Sequence, residues 1–351
     1  MLLGGAAVFS NFTDYQRHNH GVAELERFIV LLDAANAVSA ERGPANSAMT
    51  ATDEDAALRR TELIAKRAET DAALSRVETE FSALLLDEDC SAAWAMLQSE
   101  LRNGRQKVDL AANTAFAQRD PRAIGTGILA MFAAADGASA LRDQVSGHII
   151  LETPNLAGEV MLANSTSAMR DQEGRLGSYL VMALVAPPER DPIYLQRMQT
   201  SEGVIRTLWS TSVGMADELL PDPKISELIQ AVLRDYFDGV LVLARNAAEK
   251  NVHDNSLSTA ELTASYLPGL RSSELLRTAV VEYSVAALHR NAQRALGGLI
   301  GSALLTSAIL AVLVVVAIVF RRTLFAPLMR LQDDVLALAG GDHNEPERIP
   351  G

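Results

Sequence analysis

The sequence is poor in the residues that most enzymes and metal proteins need. Its 351 residues include one cysteine, Cys90, so an internal disulfide is impossible. Aromatic residues make up 5% of the chain, and alternating β-branched runs of the kind that form strands are scarce. The six histidines follow no metal-ligand spacing, and there is no phosphate-binding loop or nucleophile elbow. We therefore expect no metal, no cofactor and no enzymatic activity in this chain.

Positive charge is also in short supply. The chain has 31 Lys and Arg residues against 44 Asp and Glu residues, which gives a net charge of −13. Nucleic acids are held by basic surfaces that neutralise phosphates, so this charge excludes a nucleic-acid partner. The chain is rich in Ala and Leu instead, and its Gly and Pro residues are sparse and clustered. This composition predicts an all-α fold.

One long stretch carries no charge at all. Residues 295–320 read ALGGLIGSALLTSAILAVLVVVAIVF. A bilayer core is crossed by about 20 apolar residues in a helix, so this run predicts a transmembrane helix. Arg321 and Arg322 follow it directly, which favours a cytoplasmic C-terminal side and an extracytoplasmic, periplasmic domain before it. Residues 1–10 are apolar but short, and we expect them to be the end of a clipped first transmembrane helix.

Beyond the span, apolar residues recur every three or four positions and predict one amphipathic helix. They are Leu324, Leu328, Leu331, Val335 and Leu338. Together with Pro327, Gly341-Asp342 and Ile349-Pro350, residues 321–351 resemble the first half of a HAMP domain, the linker between membrane helix and output in bacterial receptors. The resemblance implies a homodimeric receptor that continues beyond this chain. A chemotaxis signalling tip, a histidine kinase or a cyclic-dinucleotide enzyme can each follow such a linker.

Proline and glycine clusters and polar segments divide the region before the span into helices, with a turn at Asp120-Pro121, a break at Pro187-Pro188 and a loop at 251–258. After the span, Gly340-Gly341-Asp342 is expected to stop the helix. A faint internal duplication, Glu41-Arg42-Gly43 against Glu173-Gly174-Arg175, predicts two tandem four-helix units at 11–152 and 153–294. Leu267-Pro268-Gly269 predicts the end of a short helix. We expect the last helix of the region to start near Ser272 and to continue unbroken into the membrane span.

A second resemblance concerns the ligand. Glu41-Arg42-Gly43, followed by Arg67, Asp71 and Leu74, resembles the NIT domain, an all-helical extracytoplasmic module that senses nitrate and nitrite. The resemblance covers about residues 20–290 and implies arginines that point into a helical bundle and bind a small planar anion. A guanidinium suits that task because its donors are planar and paired.

The candidate binders are four arginines. Arg42 and Arg67 come first, and Arg175 and Arg206 follow. Arginines beside glutamates on Ala-rich helices can equally be solvated surface ion pairs. The alternative function is a membrane-anchored scaffold that docks a periplasmic protein or dimerises without a small ligand. A polar pocket with inward arginines would favour sensing, and an exposed apolar stripe would favour docking.

Overall fold

The computed structural model describes residues 2–185, 191–249 and 259–339. All regular structure in these ranges is helical and none of it is strand, which confirms the predicted all-α fold. Several predicted features lie outside the described residues. They are the Pro187-Pro188 break, the loop at 251–258, the helix stop at Gly340-Gly341-Asp342 and the closing Ile349-Pro350.

Eleven α-helices lie within the described ranges. In chain order they are α1 (Leu2–Ala40), α2 (Arg42–Thr50), α3 (Ala56–Glu80), α4 (Glu88–Ala112), α5 (Pro121–Glu152), α6 (Ala157–Val185), α7 (Asp191–Leu219), α8 (Pro223–Val232), α9 (Leu241–Glu249), α10 (Thr259–Phe320) and α11 (Ala326–Ala339). Two π-helical segments, Leu233–Val240 and Arg321–Phe325, connect α8 to α9 and α10 to α11.

Contacts divide the chain into two units. One is His20–His289, and the other combines Met1–Asn19 with Arg290–Gly351. Within His20–His289, one hydrophobic core includes residues of both predicted four-helix units. In that unit α4 packs along α5, α6 packs along α7, and α5 contacts α6. The division at 152 and 153 remains a prediction.

Two helices, α5 and α8, begin where an aspartate precedes a proline. Asp120 accepts a hydrogen bond from the backbone N–H of Arg122 at 2.8 Å, and Pro121 occupies the first turn of α5. Asp222 does the same for Lys224 at 2.9 Å at the start of α8. The carboxylate satisfies a helix N–H that has no partner within the helix, while proline has no N–H to satisfy. The turn that the sequence predicts at Asp120-Pro121 is confirmed.

The predicted break at Leu267-Pro268-Gly269 is wrong. Helix α10 runs from Thr259 to Phe320 with Pro268 in its interior. Proline costs the helix one backbone hydrogen bond, so packing must compensate for the loss. At Gly269 the helix lies so close to Leu233–Val240 that an added Cβ would be 3.0 Å from the Asp235 carbonyl oxygen. Tertiary packing therefore overrides the local signal here.

Two helical stretches are long and apolar enough to cross a membrane. The apolar window within Pro121–Glu152 is 61% buried, as in a core helix of the bundle. The window within Glu261–Leu336 is not buried at all. The predicted span at 295–320 lies in this second stretch. In the same unit, Asn11 of α1 donates hydrogen bonds to the Ser302 hydroxyl at 3.1 Å and to the Gly298 carbonyl at 3.3 Å.

The pair α4 and α5 is held at close range by glycines. A Cβ on Gly137 would lie 2.9 Å from the Leu97 Cα, and one on Gly104 would lie 3.3 Å from the Ala130 carbonyl carbon. The two contacts are seven residues apart on each helix and run in opposite directions. They define an antiparallel seam in which backbone meets backbone, and we call it the α4–α5 seam.

We expect Gly137→Ala to destabilise the fold by about 1–3 kcal/mol, because the new methyl must push the α4 backbone away. Gly147 is a matched control on the same helix, since a Cβ there meets nothing within 4 Å. Gly147→Ala should stabilise by about 0.5–1 kcal/mol by removing a flexible helical glycine. Thermal unfolding of the full chain in detergent, followed by circular dichroism, compares the two. Equal changes in unfolding temperature for Gly137→Ala and Gly147→Ala would contradict the close backbone contact at the α4–α5 seam.

Candidate functional site

A cavity of about 250 Å³ lies within His20–His289, between the junction of α1 and α2, helix α6 and the first turns of α10. Its charged lining residues are Arg42, Lys66 and Arg170, all of them cations. No aspartate or glutamate of the described residues lines it. Much of the remaining wall is carbon, contributed by α6 and α10. The cavity thus has a cationic part and an apolar part.

Arg42 is the most deeply buried cation of the cavity. It is the first residue of α2 and 2% exposed. Its Nη2 lies 2.7 Å from the Asp171 carboxylate, and its Nε donates to the Ser39 carbonyl at 3.0 Å. Burial lowers the pKa of Arg42 to about 10, so the side chain still carries its charge at neutral pH. Its Nη1 has no hydrogen-bond partner in the described part of the chain.

Asp171 joins two arginines below the cavity. Arg42 contacts one carboxylate oxygen, and Arg175 Nε lies 2.7 Å from the other. The Ser39 hydroxyl donates to the same carboxylate at 2.6 Å. Burial alone would raise the pKa of Asp171, but the two guanidinium charges and the Ser39 hydrogen bond outweigh burial and hold this pKa well below its ordinary value. Asp171 is therefore the fixed counter-charge of Arg42.

The pKa of Glu173 shifts in the opposite direction from that of Asp171. Its side chain is fully buried, and Oε1 accepts a hydrogen bond from the Ser273 hydroxyl at 2.8 Å. Oε2 finds no hydrogen-bond partner among the residues that the structure covers. Burial raises the pKa of Glu173 to about 8, although the nearby charge of Arg170 opposes the rise. This pKa favours the uncharged form of Glu173 at neutral pH, which adds no negative charge beside the cations of the cavity.

Two polar residues of the cavity wall form a short chain. Asn46 Nδ2 donates to the Ser178 hydroxyl at 3.0 Å, and that hydroxyl donates in turn to the Gly174 carbonyl at 3.0 Å. Asn46 Oδ1 is buried and lacks a hydrogen-bond partner within the described ranges. A Cβ on Gly174 would lie 2.7 Å from Arg42 Nη2, so a larger residue at this position would displace the end of the Arg42 side chain.

The four candidate arginines are distributed over three networks. Arg42 and Arg175 meet at Asp171, and of the four only Arg42 lines the cavity. Arg67 lies 2.8 Å from Asp109 and 3.5 Å from Glu41. Arg206 is half-exposed and pairs with Glu202 at 2.8 Å. A ligand role for any of the four remains a prediction.

Sequence reasoning missed most of the cavity lining. On α3 it selected Arg67, whereas the neighbouring Lys66 lines the cavity. On α6 the cavity-lining residues are spaced so that they share one face of the helix, at positions 170, 174, 177, 178 and 181. This spacing was present in the sequence and could have identified the α6 wall of the cavity. This face combines an arginine with small residues, a pattern that brings neighbouring helices close.

The sequence also missed the partner of Glu41. This carboxylate is fully buried, and Arg105 of α4 holds it with two parallel hydrogen bonds of 2.8 Å. Arg105 also contacts Asp71 at 2.7 Å. The Glu-Arg-Gly segment therefore points in two directions: Glu41 ties the α1–α2 junction to α4, and Arg42 faces the cavity.

Comparisons with protein-family models, with curated proteins and with solved structures give no match for this chain. The geometry and charge of the cavity therefore carry the functional reasoning.

Proposed function

We propose that this chain is the sensory and membrane portion of a bacterial transmembrane receptor, and that its cavity binds a small anion with a planar oxyanion group. Nitrate and nitrite are the candidates that the sequence resemblance implies. The observation that carries the proposal is the charge of the cavity lining, which contains Arg42, Lys66 and Arg170 and no described carboxylate.

Unsatisfied donors support an anionic ligand. A buried donor without a partner costs about 1–3 kcal/mol, and Arg42 Nη1 is such a donor. Guanidinium groups bind planar oxyanions through charge-assisted hydrogen bonds, which are about twice as strong as neutral ones. Protonation of Glu173 at neutral pH leaves Asp171 as the ionised carboxylate beside Arg42. An anion that reached Nη1 would gain a hydrogen bond there, with no negative charge on Glu173 to oppose it.

Helix α10 supports the link between ligand and membrane. Its residues Leu262, Tyr266 and Leu270 line the cavity, and the same helix contains the predicted span at 295–320. We propose that the domain before the span is periplasmic, that the receptor is a homodimer, and that a ligand-dependent shift of α10 reaches residues 321–339, the HAMP-like helix. No nucleic acid, metal or cofactor takes part in this proposal.

The test is thermal unfolding of the full chain in detergent with nitrate or nitrite, compared with chloride at equal ionic strength. A bound anion at 100 times its dissociation constant should add about 2.7 kcal/mol to the free energy of unfolding. Lys66→Gln should reduce this gain. Arg59→Gln is the matched control on α3, because Arg59 pairs with Glu62 at 3.0 Å as Lys66 pairs with Glu69 at 2.8 Å, yet Arg59 does not line the cavity.

No stabilisation by any anion, in a chain that unfolds cooperatively, would contradict the sensing proposal. It would favour the alternative, a membrane-anchored scaffold that docks a periplasmic protein or dimerises without a ligand. Leu328, Leu331 and Val335 are exposed on one side of α11, which favours the dimerisation part of that alternative, because α11 follows the predicted span. Chemical crosslinking of the chain in native membranes would then be the next measurement.

A further inference from the structure

We propose that the ligand of this cavity is a small hydroxycarboxylate with an apolar body. The inference rests on the proposed function, since it names the ligand class of the same site. The carboxylate would be the planar oxyanion that meets Arg42, and the rest of the molecule would fill space that nitrate leaves empty. Size, the apolar wall and an unpaired acceptor each point to this class.

The size of the cavity is the first argument. It measures about 250 Å³. An apolar protein cavity of about 150 Å³ is large enough to bind benzene, with its six carbon atoms. Nitrate has four heavy atoms and would leave most of this volume unfilled. A ligand of roughly eight to eleven heavy atoms matches the cavity better.

The chemistry of the wall is the second argument. Aliphatic carbon in the wall comes from Val181 of α6 and from Leu262 and Leu270 of α10, and the Tyr266 side chain adds an aromatic ring. The Tyr266 hydroxyl is already used, because it donates to the Glu173 carbonyl at 2.7 Å. This wall offers an inorganic oxyanion little, since such an ion gains nothing from contact with carbon. It favours the hydrocarbon body of an organic acid.

The third argument is the free acceptor beside Arg42. The Ser178 hydroxyl donates its one proton to the Gly174 carbonyl, so it can only accept from Asn46. This fixes the Asn46 amide, with Nδ2 toward Ser178 and Oδ1 left without a partner in the described residues. Nitrate has no proton to donate to Oδ1. A hydroxyl group on the ligand does.

The spacing of the Arg42 and Asn46 side chains suits a hydroxy acid. Arg42 and Asn46 are four residues apart on α2, and such positions are neighbours on one helix face, with Cβ atoms about 5–6 Å apart. A 2-hydroxy acid carries its carboxylate and its hydroxyl on adjacent carbons, so it can reach both side chains together. Its third substituent is then free to contact the apolar wall.

The experiment uses the full chain in detergent and measures dissociation constants by titration calorimetry. The probes are mandelate and 2-hydroxyisocaproate, their deoxy analogues phenylacetate and 4-methylpentanoate, and nitrate. We expect each hydroxy acid to bind about tenfold more tightly than its deoxy analogue, the usual scale for one net hydrogen bond. Asn46→Ala should abolish this preference, so that each hydroxy acid binds no more tightly than its deoxy analogue, and cooperative thermal unfolding of the variant checks that it is folded.

Asn103→Ala is the matched control, because Asn103 is an asparagine of α4 that does not line the cavity. It should retain the preference for hydroxy acids. Equal binding of hydroxy and deoxy acids would overturn the inference. Binding of nitrate without binding of any carboxylate would also overturn it, while leaving the anion-sensing function intact. Failure of every anion would overturn both.

Discussion

Glu173→Gln should stabilise the folded chain at pH 8 and flatten its stability profile between about pH 5 and pH 8. In the folded protein the pKa of Glu173 is raised from 4.5 to about 8 by burial. Between these values the folded state keeps a proton that the unfolded chain has released. Stability therefore falls as the pH rises, with a limiting slope of about 1.4 kcal/mol per pH unit. The accumulated loss by pH 8 is on the order of 4 kcal/mol.

Glutamine mimics the protonated acid and cannot release a proton, so the variant escapes this loss. The groups that face Glu173 stay in place: Ser273 donates to Oε1, Arg170 precedes Glu173 by about one turn of α6, and Glu274 of α10 is a neighbouring carboxylate. The measurement is denaturant unfolding of the full chain in detergent at pH 5.5 and pH 8. Glu218→Gln, at an exposed position of α7, is the control. If the free energy of unfolding changed with pH in the same way for the parent chain and for Glu173→Gln, the raised pKa of Glu173 would be contradicted.

Arg42→Ala should destabilise the chain by about 3–5 kcal/mol at neutral pH. Most of this loss comes from Asp171, which stays ionised and buried after Arg42 is removed and then has only Arg175 as a cationic partner. The lost attraction of the Arg42–Asp171 ion pair contributes less. Arg206→Ala is the control from the same group of candidates. Arg206 is half-exposed beside Glu202, and such a pair contributes about 0–1 kcal/mol.

A double-mutant cycle distinguishes the cost of leaving Asp171 charged with only Arg175 as its cationic partner from the cost of losing the Arg42 side chain itself. If buried charge is responsible, Arg42→Met combined with Asp171→Asn should cost much less than the sum of the single changes. Thermal unfolding of the four chains in detergent supplies the cycle. Additive losses, or an Arg42→Ala loss no larger than that of Arg206→Ala, would show that Asp171 does not depend on Arg42.

The all-α fold was readable from the sequence because its signals are local. Asp120-Pro121 caps and starts α5 within four residues, and no distant contact is needed to recognise it. Pro268 shows where local signals fail, because its place inside α10 depends on the close approach of that helix to Leu233–Val240.

The candidate site was readable only in part, for a geometrical reason. Adjacent helical residues point about 100° apart, so choosing Lys66 or Arg67 as the cavity residue requires the rotation of α3 about its axis. That rotation is set by which side chains the neighbouring helices bury, here Leu63, Thr70 and Val77. Sequence places a residue on a face of its own helix and leaves open which neighbour that face meets.

The α4–α5 seam has a consequence for how this unit can change shape. Sliding α5 by one turn, about 5.4 Å, would set Ala133 or Leu141 in place of Gly137 against the Leu97 backbone. A piston movement between these two helices is therefore sterically blocked. Helices α4 and α5 should therefore keep their relative position, and a spin label on α4 can serve as the fixed end of distance measurements. A second label on α2, α6 or the first turns of α10 would then report, as a change in distance from α4, how far that helix moves when a ligand occupies the cavity.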